Sequence, residues 1–261
     1  MKRSRVVIAA VPVVALAFAA VIVLGEASRP AAAASAKKGV DPEADKLLRQ
    51  MADYLGGLQS FTVQNFAVDE MALKTGEKIQ ATSDSDIAVQ RPDHLRNTQR
   101  GAGEGLGLWY DGKMMTVACK GTNSYESVAA PPNLDDAIDK VRKHYKVEAP
   151  GADLLYSKPY DILMEQVKSG RVIGKETIQG VPANHLAFQG EQVDFQIWIQ
   201  EGREPLPLRF VITTKNVKAN PQFTVQLSNW NTNPIFTGQE FTFQPPAGAK
   251  AVASVTSTCT R

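Results

Sequence analysis

The sequence predicts an α+β fold in which one helix precedes a large antiparallel sheet. A short amphipathic helical pattern near residue 45 is followed by long segments with strand-like alternation. The Asp111-Gly112 pair lies between two short apolar segments and is typical of a two-residue hairpin turn. Between Arg171 and Trp230 five predicted strands follow one another without a helix, which is unlike the strand–helix alternation of nucleotide-binding folds.

Residues 1–36 predict export. A basic start, Lys2-Arg3-Ser4-Arg5, precedes a run from Val6 to Leu24 without a charged residue, and small residues follow up to Ala36. This is the pattern of a secretory signal peptide, so we expect a periplasmic or otherwise exported protein. The run is also long enough to span a bilayer, and an uncleaved inner-membrane anchor is the alternative.

The formal net charge of +2 comes from this leader. Without residues 1–36 the chain carries about one net negative charge, and no basic face for nucleic acid is predicted. The composition, with 43% hydrophobic and 21% charged residues, suits one globular domain with a sizeable core. We place that domain at residues 41–252 and expect a flexible C-terminal tail at residues 253–261.

The first predicted helix begins at Asp41-Pro42-Glu43, an acidic N-cap followed by proline at the first helical position. It ends at Gly56-Gly57. A long strand then begins at Phe61, and its apolar alternation slips once before Phe66, which indicates a bulge. Thr75-Gly76 turns the chain into a returning strand.

Arg91-Pro92 separates this strand from the next, because proline has no N–H for the ladder and favours an extended predecessor. The Asp111-Gly112 hairpin continues the meander. Asn133 then caps a helix that reaches Tyr145, and a second helix runs from Pro159 or Tyr160 to Val167. These two helices interrupt the sheet and are candidates for a lid.

The strands after these helices are strongly apolar on one side. VDFQIWIQ (residues 193–200) and LPLRFVIT (residues 206–213) both place large apolar side chains at alternate positions. Because few helices are available to cover such a face, we expect it to hold a ligand, although helices that fill the space are the alternative. The expected lining residues are Phe195, Ile197, Ile199, Phe210, Ile212, Phe223 and Val225.

The order of these features resembles that of the lipoprotein-carrier (LolA) and lipoprotein-localisation superfamily. The residues that carry the resemblance are Arg91-Pro92, the Asp111-Gly112-Lys113 turn and the closing FTFQPPAGAKAV (residues 241–252). Within the superfamily the chain is most similar to a bacterial family of predicted periplasmic proteins, for which HLAF (residues 185–188) and VDFQIWI are typical. The resemblance implies a strongly curved, half-open antiparallel β-barrel, with its concave apolar face covered by helices and holding acyl chains or other lipid.

The resemblance also implies a role for Arg91. In the carrier, the arginine of the Arg-Pro motif hydrogen-bonds the helical lid and helps to keep it shut, and Arg91 is the matching position. The chain departs from the carrier in its longer helical insert and its second group of strands. Transfer of lipoproteins in particular therefore does not follow from the resemblance.

Catalytic motifs are absent from the sequence. His94, His144 and His185 are far apart and none lies in an HExxH motif, so we expect no metal, no cofactor and no enzyme activity. We expect a monomeric carrier or chaperone of a lipid or other hydrophobic small molecule. A module that senses lipid or lipoprotein and docks on an envelope signalling protein is the alternative, and a hydrolase ranks below both. For His185 we expect a structural hydrogen bond to Asp194 or Gln196.

Cys119 and Cys259 are the two cysteines of the chain. In an oxidising compartment a disulfide between them would tie the C-terminal tail to the meander. The alternative is a half-buried Cys119 and a loose Cys259 near the end of the chain.

Overall fold

The structure is a computed structural model, which describes residues 37–255 except 38, 74, 101–104 and 146–148. The expected signal peptide at residues 1–36 lies outside the described residues. So do Cys259 and the part of the expected tail from residue 256 onward.

Three α-helices and two short 3₁₀ helices occur in the described part of the chain. Both N-cap residues that the sequence indicates act as caps: Asp41 accepts a hydrogen bond from the Glu43 N–H, and Asn133 accepts one from the Asp136 N–H, each at 2.9 Å. The helices are α1 (Pro42–Gly57), α2 (Leu134–Tyr145) and α3 (Pro159–Met164), with 3₁₀ helices at Ala152–Leu155 and Gln239–Phe241.

Twelve strands in the same part of the chain form one sheet. They are β1 (Ser60–Ala72), β2 (Lys78–Gln90), β3 (His94–Gln99), β4 (Leu106–Asp111), β5 (Met114–Cys119), β6 (Ser124–Ala129), β7 (Val167–Ile178), β8 (Val181–Gly190), β9 (Val193–Gln200), β10 (Pro207–Thr214), β11 (Gln222–Asn231) and β12 (Lys250–Ala251).

The strand order is β12-β6-β5-β4-β3-β2-β1-β11-β10-β9-β8-β7. All neighbouring strands are antiparallel except the short β12, which runs parallel to β6. Two meanders therefore meet where β1 pairs with β11, and β12 and β7 remain at opposite ends of the sheet. The sheet is a strongly curved, half-open barrel with helices over its concave face, which confirms the predicted fold class.

The main core lies between that concave face and the helices. In the first meander, cross-strand partners Phe61, Val89, Leu95, Tyr110 and Met115 form one continuous buried row. Side chains of directly opposite residues share a face of the sheet, so the register itself assembles this row. Leu48, Met51 and Leu55 of α1 belong to the same core.

The outer face of the second meander carries a smaller cluster around Trp198. The Trp198 ring stacks on His185 at 4.0 Å between centroids, and its Nε1 donates a hydrogen bond to Glu176. His185 Nε2 lies 2.9 Å from Gln196 Oε1, which is one of the two structural partners expected from the sequence.

The apolar alternation of β1 changes face before Phe66, as the sequence indicates, but β1 contains no bulge there. The register of β1 with β2 is unbroken over the whole strand, so Phe66 and Val68 lie on the opposite face from Phe61. Phe66 is 43% exposed there. The register shift of β1 is with β11, between Thr62 and Gln64, and the extra residue lies in β11.

Two further expectations are corrected. The second lid helix ends at Met164, before Val167, because β7 begins at Val167. The tail was expected to be loose from residue 253, but Val255 is fully buried and its N–H donates to Glu126 Oε2 at 3.1 Å. The packed part of the chain therefore extends beyond Val252.

Cys119 is buried in β5, and no free cysteine is found in the described residues. This contradicts the alternative of a half-buried Cys119 with a free thiol. Because Cys259 lies outside those residues, its pairing with Cys119 stays a prediction.

A polar clamp joins α3 to α1. The Tyr160 hydroxyl donates to Oδ1 of Asp45, a carboxylate in a residue that is only 3% exposed, and Arg49 Nε donates to the other oxygen at 2.8 Å. The Arg49 guanidinium also lies 3.7 Å from the centre of the Tyr160 ring. Burial and the hydrogen bond to Asp45 raise the pKa of Tyr160 to about 12.

We expect Tyr160→Phe to lower the free energy of unfolding by about 1–3 kcal/mol, because a buried carboxylate loses a donor. Denaturant titration measures this, with Tyr54→Phe at a half-buried position of α1 as the control. Since the folded pKa of Tyr160 exceeds the unfolded value of about 10, its contribution is complete below pH 10 and is lost as the pH rises through about 12. A difference between wild type and Tyr160→Phe that stays constant over that interval would contradict this assignment.

Candidate ligand-binding site

Two rows of apolar side chains cross the concave face of the second meander. Phe195 on β9 is the register partner of Ile212 on β10, which is the partner of Phe223 on β11; we call these three residues the outer row. One step further in, the same strands place Ile197, Phe210 and Val225 side by side, as the inner row. Direct cross-strand partners point to the same side of a sheet, so both rows face the helices.

The inner row is buried beneath the helices, and only Phe210 of this row also reaches the pocket described below. Ile197, Phe210 and Val225 are 0%, 1% and 3% exposed, and Ile199 beyond them is equally buried. Gly151, at a φ of 86° before the first 3₁₀ helix, lies over β11, where an added Cβ would be 3.7 Å from both Val225 Cγ1 and Phe223 Cε1. Over this part of the face the alternative interpretation, a filled core, is correct.

Phe195 of the outer row is only 4% exposed, Ile212 and Phe223 are half-buried, and all three line a pocket of about 560 Å³. Ile162 and Leu163 of α3 lie on the opposite side of it. Of the seven lining residues expected from the sequence, the pocket includes Phe195, Phe210, Ile212 and Phe223. The assignment of Ile197, Ile199 and Val225 was wrong, because α1 and the segment around Gly151 cover these side chains.

The pocket also has a polar side that the sequence did not indicate. Its charged residues are Asp69, Glu70, Asp153, Glu165 and Arg142. Asp69 is the register partner of Phe223, so it continues the outer row onto β1. Because side chains alternate along β1 without a break, Asp69 lies on the same face as Phe61. A bulge before Phe66, as expected from the sequence, would place Asp69 on the other face.

Arg142 on α2 is held by an ion pair and two neutral acceptors. Its Nη2 lies 2.8 Å from Asp153 Oδ1 and also donates to the Ala149 carbonyl, and its Nη1 donates to the Tyr156 hydroxyl at 3.2 Å. Although burial opposes it, the hydrogen bond and charge of Asp153 raise the pKa of Arg142. The ion pair fixes α2 to the first 3₁₀ helix at the edge of the pocket.

Arg91 contacts the lid segment, which we define as the described residues from Leu134 to Met164. Its Nη2 donates to the backbone carbonyl of Tyr156 at 3.2 Å. The Arg91-Pro92 peptide is cis. Burial lowers the pKa of Arg91, and the charge of Asp135 at the start of α2 opposes this effect. The contact that the resemblance implied is present, and the role of Arg91 as a latch stays a prediction.

A search of the described residues finds no group of three or more His, Cys, Asp or Glu side chains that could hold a metal ion. None of the helices in this part of the chain is long and apolar enough to cross a membrane.

Three solved structures illustrate the folds to which this chain is similar. Lipoprotein LppX of Mycobacterium tuberculosis is 15% identical, with 75% of this chain and 98% of that chain covered and a TM-score of 0.45. The MucA/MucB complex of Pseudomonas aeruginosa contains a chain that is 15% identical, with coverages of 77% and 61% and a TM-score of 0.42. A LolA superfamily protein from Nitrosomonas europaea is 12% identical, with coverages of 77% and 97% and a TM-score of 0.40.

Comparison with curated proteins finds no match. A family model described as "Predicted periplasmic protein (DUF2092)" matches residues 44–255, which is nearly the whole of the described chain. The match confirms the resemblance inferred from the sequence motifs. This chain belongs to the DUF2092 family of predicted periplasmic proteins.

Proposed function

We propose that this protein binds a lipid or other hydrophobic ligand in the pocket above the outer row and carries it within the cell envelope. The observation that supports the proposal most strongly is the difference in exposure between the two adjacent rows. Ile197 on β9 and Val225 on β11 are buried, whereas Ile212 on β10 and Phe223 on β11 are only half-buried and line a pocket of about 560 Å³. Pockets for small molecules typically have volumes of roughly 300–1,000 Å³.

The free energy for such binding comes from burial of apolar surface. Each methylene transferred from water contributes about 0.8 kcal/mol, so a chain that buries about eight of them gains up to roughly 6 kcal/mol before ordering costs. The three outer-row side chains and Leu163 provide the apolar contacts. Carriage by this means needs no catalytic group.

The proposed location is the periplasm. The family is described as periplasmic, and the pattern of residues 1–36 predicts export. Whether that leader is cleaved does not alter the pocket, whose lining residues all lie between Asp69 and Phe223.

A second candidate is a regulatory or interaction module, and the β1–β2 hairpin favours it. The two strands pair with each other as far as Ala72 and Lys78, but β11 accompanies β1 only to Asp69. The hairpin therefore projects beyond the neighbouring strand β11. Leu73 and Ile79 near its end are 40% and 42% exposed, as expected of a surface that contacts a partner.

We expect Ile212→Glu to weaken binding of an uncharged fluorescent naphthylamine probe at least tenfold, because it places a carboxylate in the apolar outer row. The measurement is a fluorescence titration, with thermal unfolding to show that the fold persists. Ile79→Glu on the exposed hairpin is the matched control and should leave the affinity unchanged. Equal affinities for both variants and wild type would contradict ligand binding at the outer row. Loss of a co-purified protein partner in Ile79→Glu would support the second candidate.

The latch prediction concerns the hold of Arg91 on the lid segment. Removing the donor to the Tyr156 carbonyl should loosen the junction between the first 3₁₀ helix and α3. We therefore expect Arg91→Leu to raise the fluorescence of an anilinonaphthalene dye several-fold, with an unchanged far-ultraviolet circular dichroism spectrum. Arg96→Leu is the control, since Arg96 lies on the outer face of β3 opposite Ala88. A dye fluorescence equal to that of wild type would contradict the role of Arg91 as a latch.

A further inference from the structure

We propose that the pocket takes an alkyl chain tail first, with the head group left at the strand ends, and that Phe210 limits the length of chain that fits. The inference rests on the proposed function, because it concerns the same pocket. The change in exposure along the strands that line the pocket carries it.

Strand β10 runs from the open end of the pocket to its closed end. Thr214, Ile212 and Phe210 occupy alternate positions of β10, and all three line the pocket. Alternate residues of a strand share one face, so these side chains follow one another along the concave face. Thr214 and Ile212 are half-buried, whereas Phe210 is 1% exposed. From Thr214 to Phe210 the strand rises roughly 13 Å, at about 3.3 Å per residue.

The neighbouring strand β11 shows the same gradient. Gln222 at its start is exposed and Phe223 is half-buried, and both line the pocket, whereas Val225 is buried and does not. The β8–β9 and β10–β11 loops add the exposed lining residues Gln192 and Val217. The pocket is therefore open where these strands end and closed where they pass beneath the helices.

Phe210 forms the closed end. Its register partners Ile197 and Val225 are buried beside it and do not line the pocket. The Phe195 ring lies against it edge to face, with 5.6 Å between centroids, and stacks in turn on Phe188 at 4.8 Å. Aromatic pairs of this geometry add stabilisation beyond their buried area, so the Phe210 ring is held in place.

A wall at this depth sets a limit on the length of a bound chain. An alkyl chain gains free energy from the methylenes that it buries. When the chain enters at the strand ends, its terminal methyl group meets the Phe210 ring, and any further methylenes stay in water at the mouth. Affinity should therefore rise by up to about fourfold per methylene and then level off.

The test uses an uncharged series, octyl, decyl, dodecyl and tetradecyl glucoside, each below its micelle concentration. Each glucoside displaces the naphthylamine probe from the full chain, and the titration gives its affinity. For wild type we expect a rise of about tenfold from octyl to decyl glucoside, and a change of less than about twofold from dodecyl to tetradecyl glucoside.

Variants of Phe210 locate the limit. In Phe210→Ala, tetradecyl glucoside should bind at least about fivefold more tightly than dodecyl glucoside, because the core refills only part of the space that the ring leaves. Phe210→Leu costs less stability and should show a smaller gain in the same direction. Phe61→Leu is the matched control, since Phe61 is a fully buried phenyl ring of the first meander that does not line the pocket. It should level off at the wild-type chain length, and thermal unfolding shows that each variant is folded.

An affinity that still rises severalfold from dodecyl to tetradecyl glucoside in wild type would overturn the inference without any variant. Levelling at the same chain length in wild type and in a folded Phe210 variant would overturn it as well, and both results leave ligand binding intact. Failure of all four glucosides to displace the probe would contradict the proposed function itself.

Discussion

The cross-strand register of β9, β10 and β11 is the constraint on which the rest of the site depends. It aligns large apolar side chains into rows that share one face of the sheet. A half-open sheet of this size offers more concave apolar surface than three α-helices and a short 3₁₀ helix can cover in the described chain. The inner row is buried, Ile212 and Phe223 of the outer row are only half-buried, and a pocket lies above them.

Polar contacts hold the lid segment at several places, among them two that involve residues that the sequence places far from it. Arg91 bonds the backbone at Tyr156, and the clamp of Asp45 and Arg49 holds Tyr160 against α1. Both contacts are polar and directional, so they fix the position of the segment without filling the space beneath it. This arrangement reconciles a helix-covered face with a remaining pocket.

The sequence predicted the fold class and most element positions, because local signals were strong. The cap at Asp41 and the alternation of residues 193–200 both correspond to elements of the structure. The sequence could not predict which apolar side chains the helices bury. The burial of Ile197 and Val225 depends on the path of α1 and of the segment at Gly151. The sequence pattern also suggests the wrong face for part of β1, because the apolar Phe66 lies on the exposed outer face. With the faces exchanged, Asp69 is not expected to line the pocket.

We propose that a foreign apolar molecule occupies the space above the outer row. Its presence can be measured by native mass spectrometry of the full-length protein, secreted by a bacterial host and purified from the periplasm without detergent. We expect an adduct whose mass equals that of a lipid extracted by organic solvent from the same sample. A folded protein that shows only the mass of its own chain, with no extractable lipid, would contradict it.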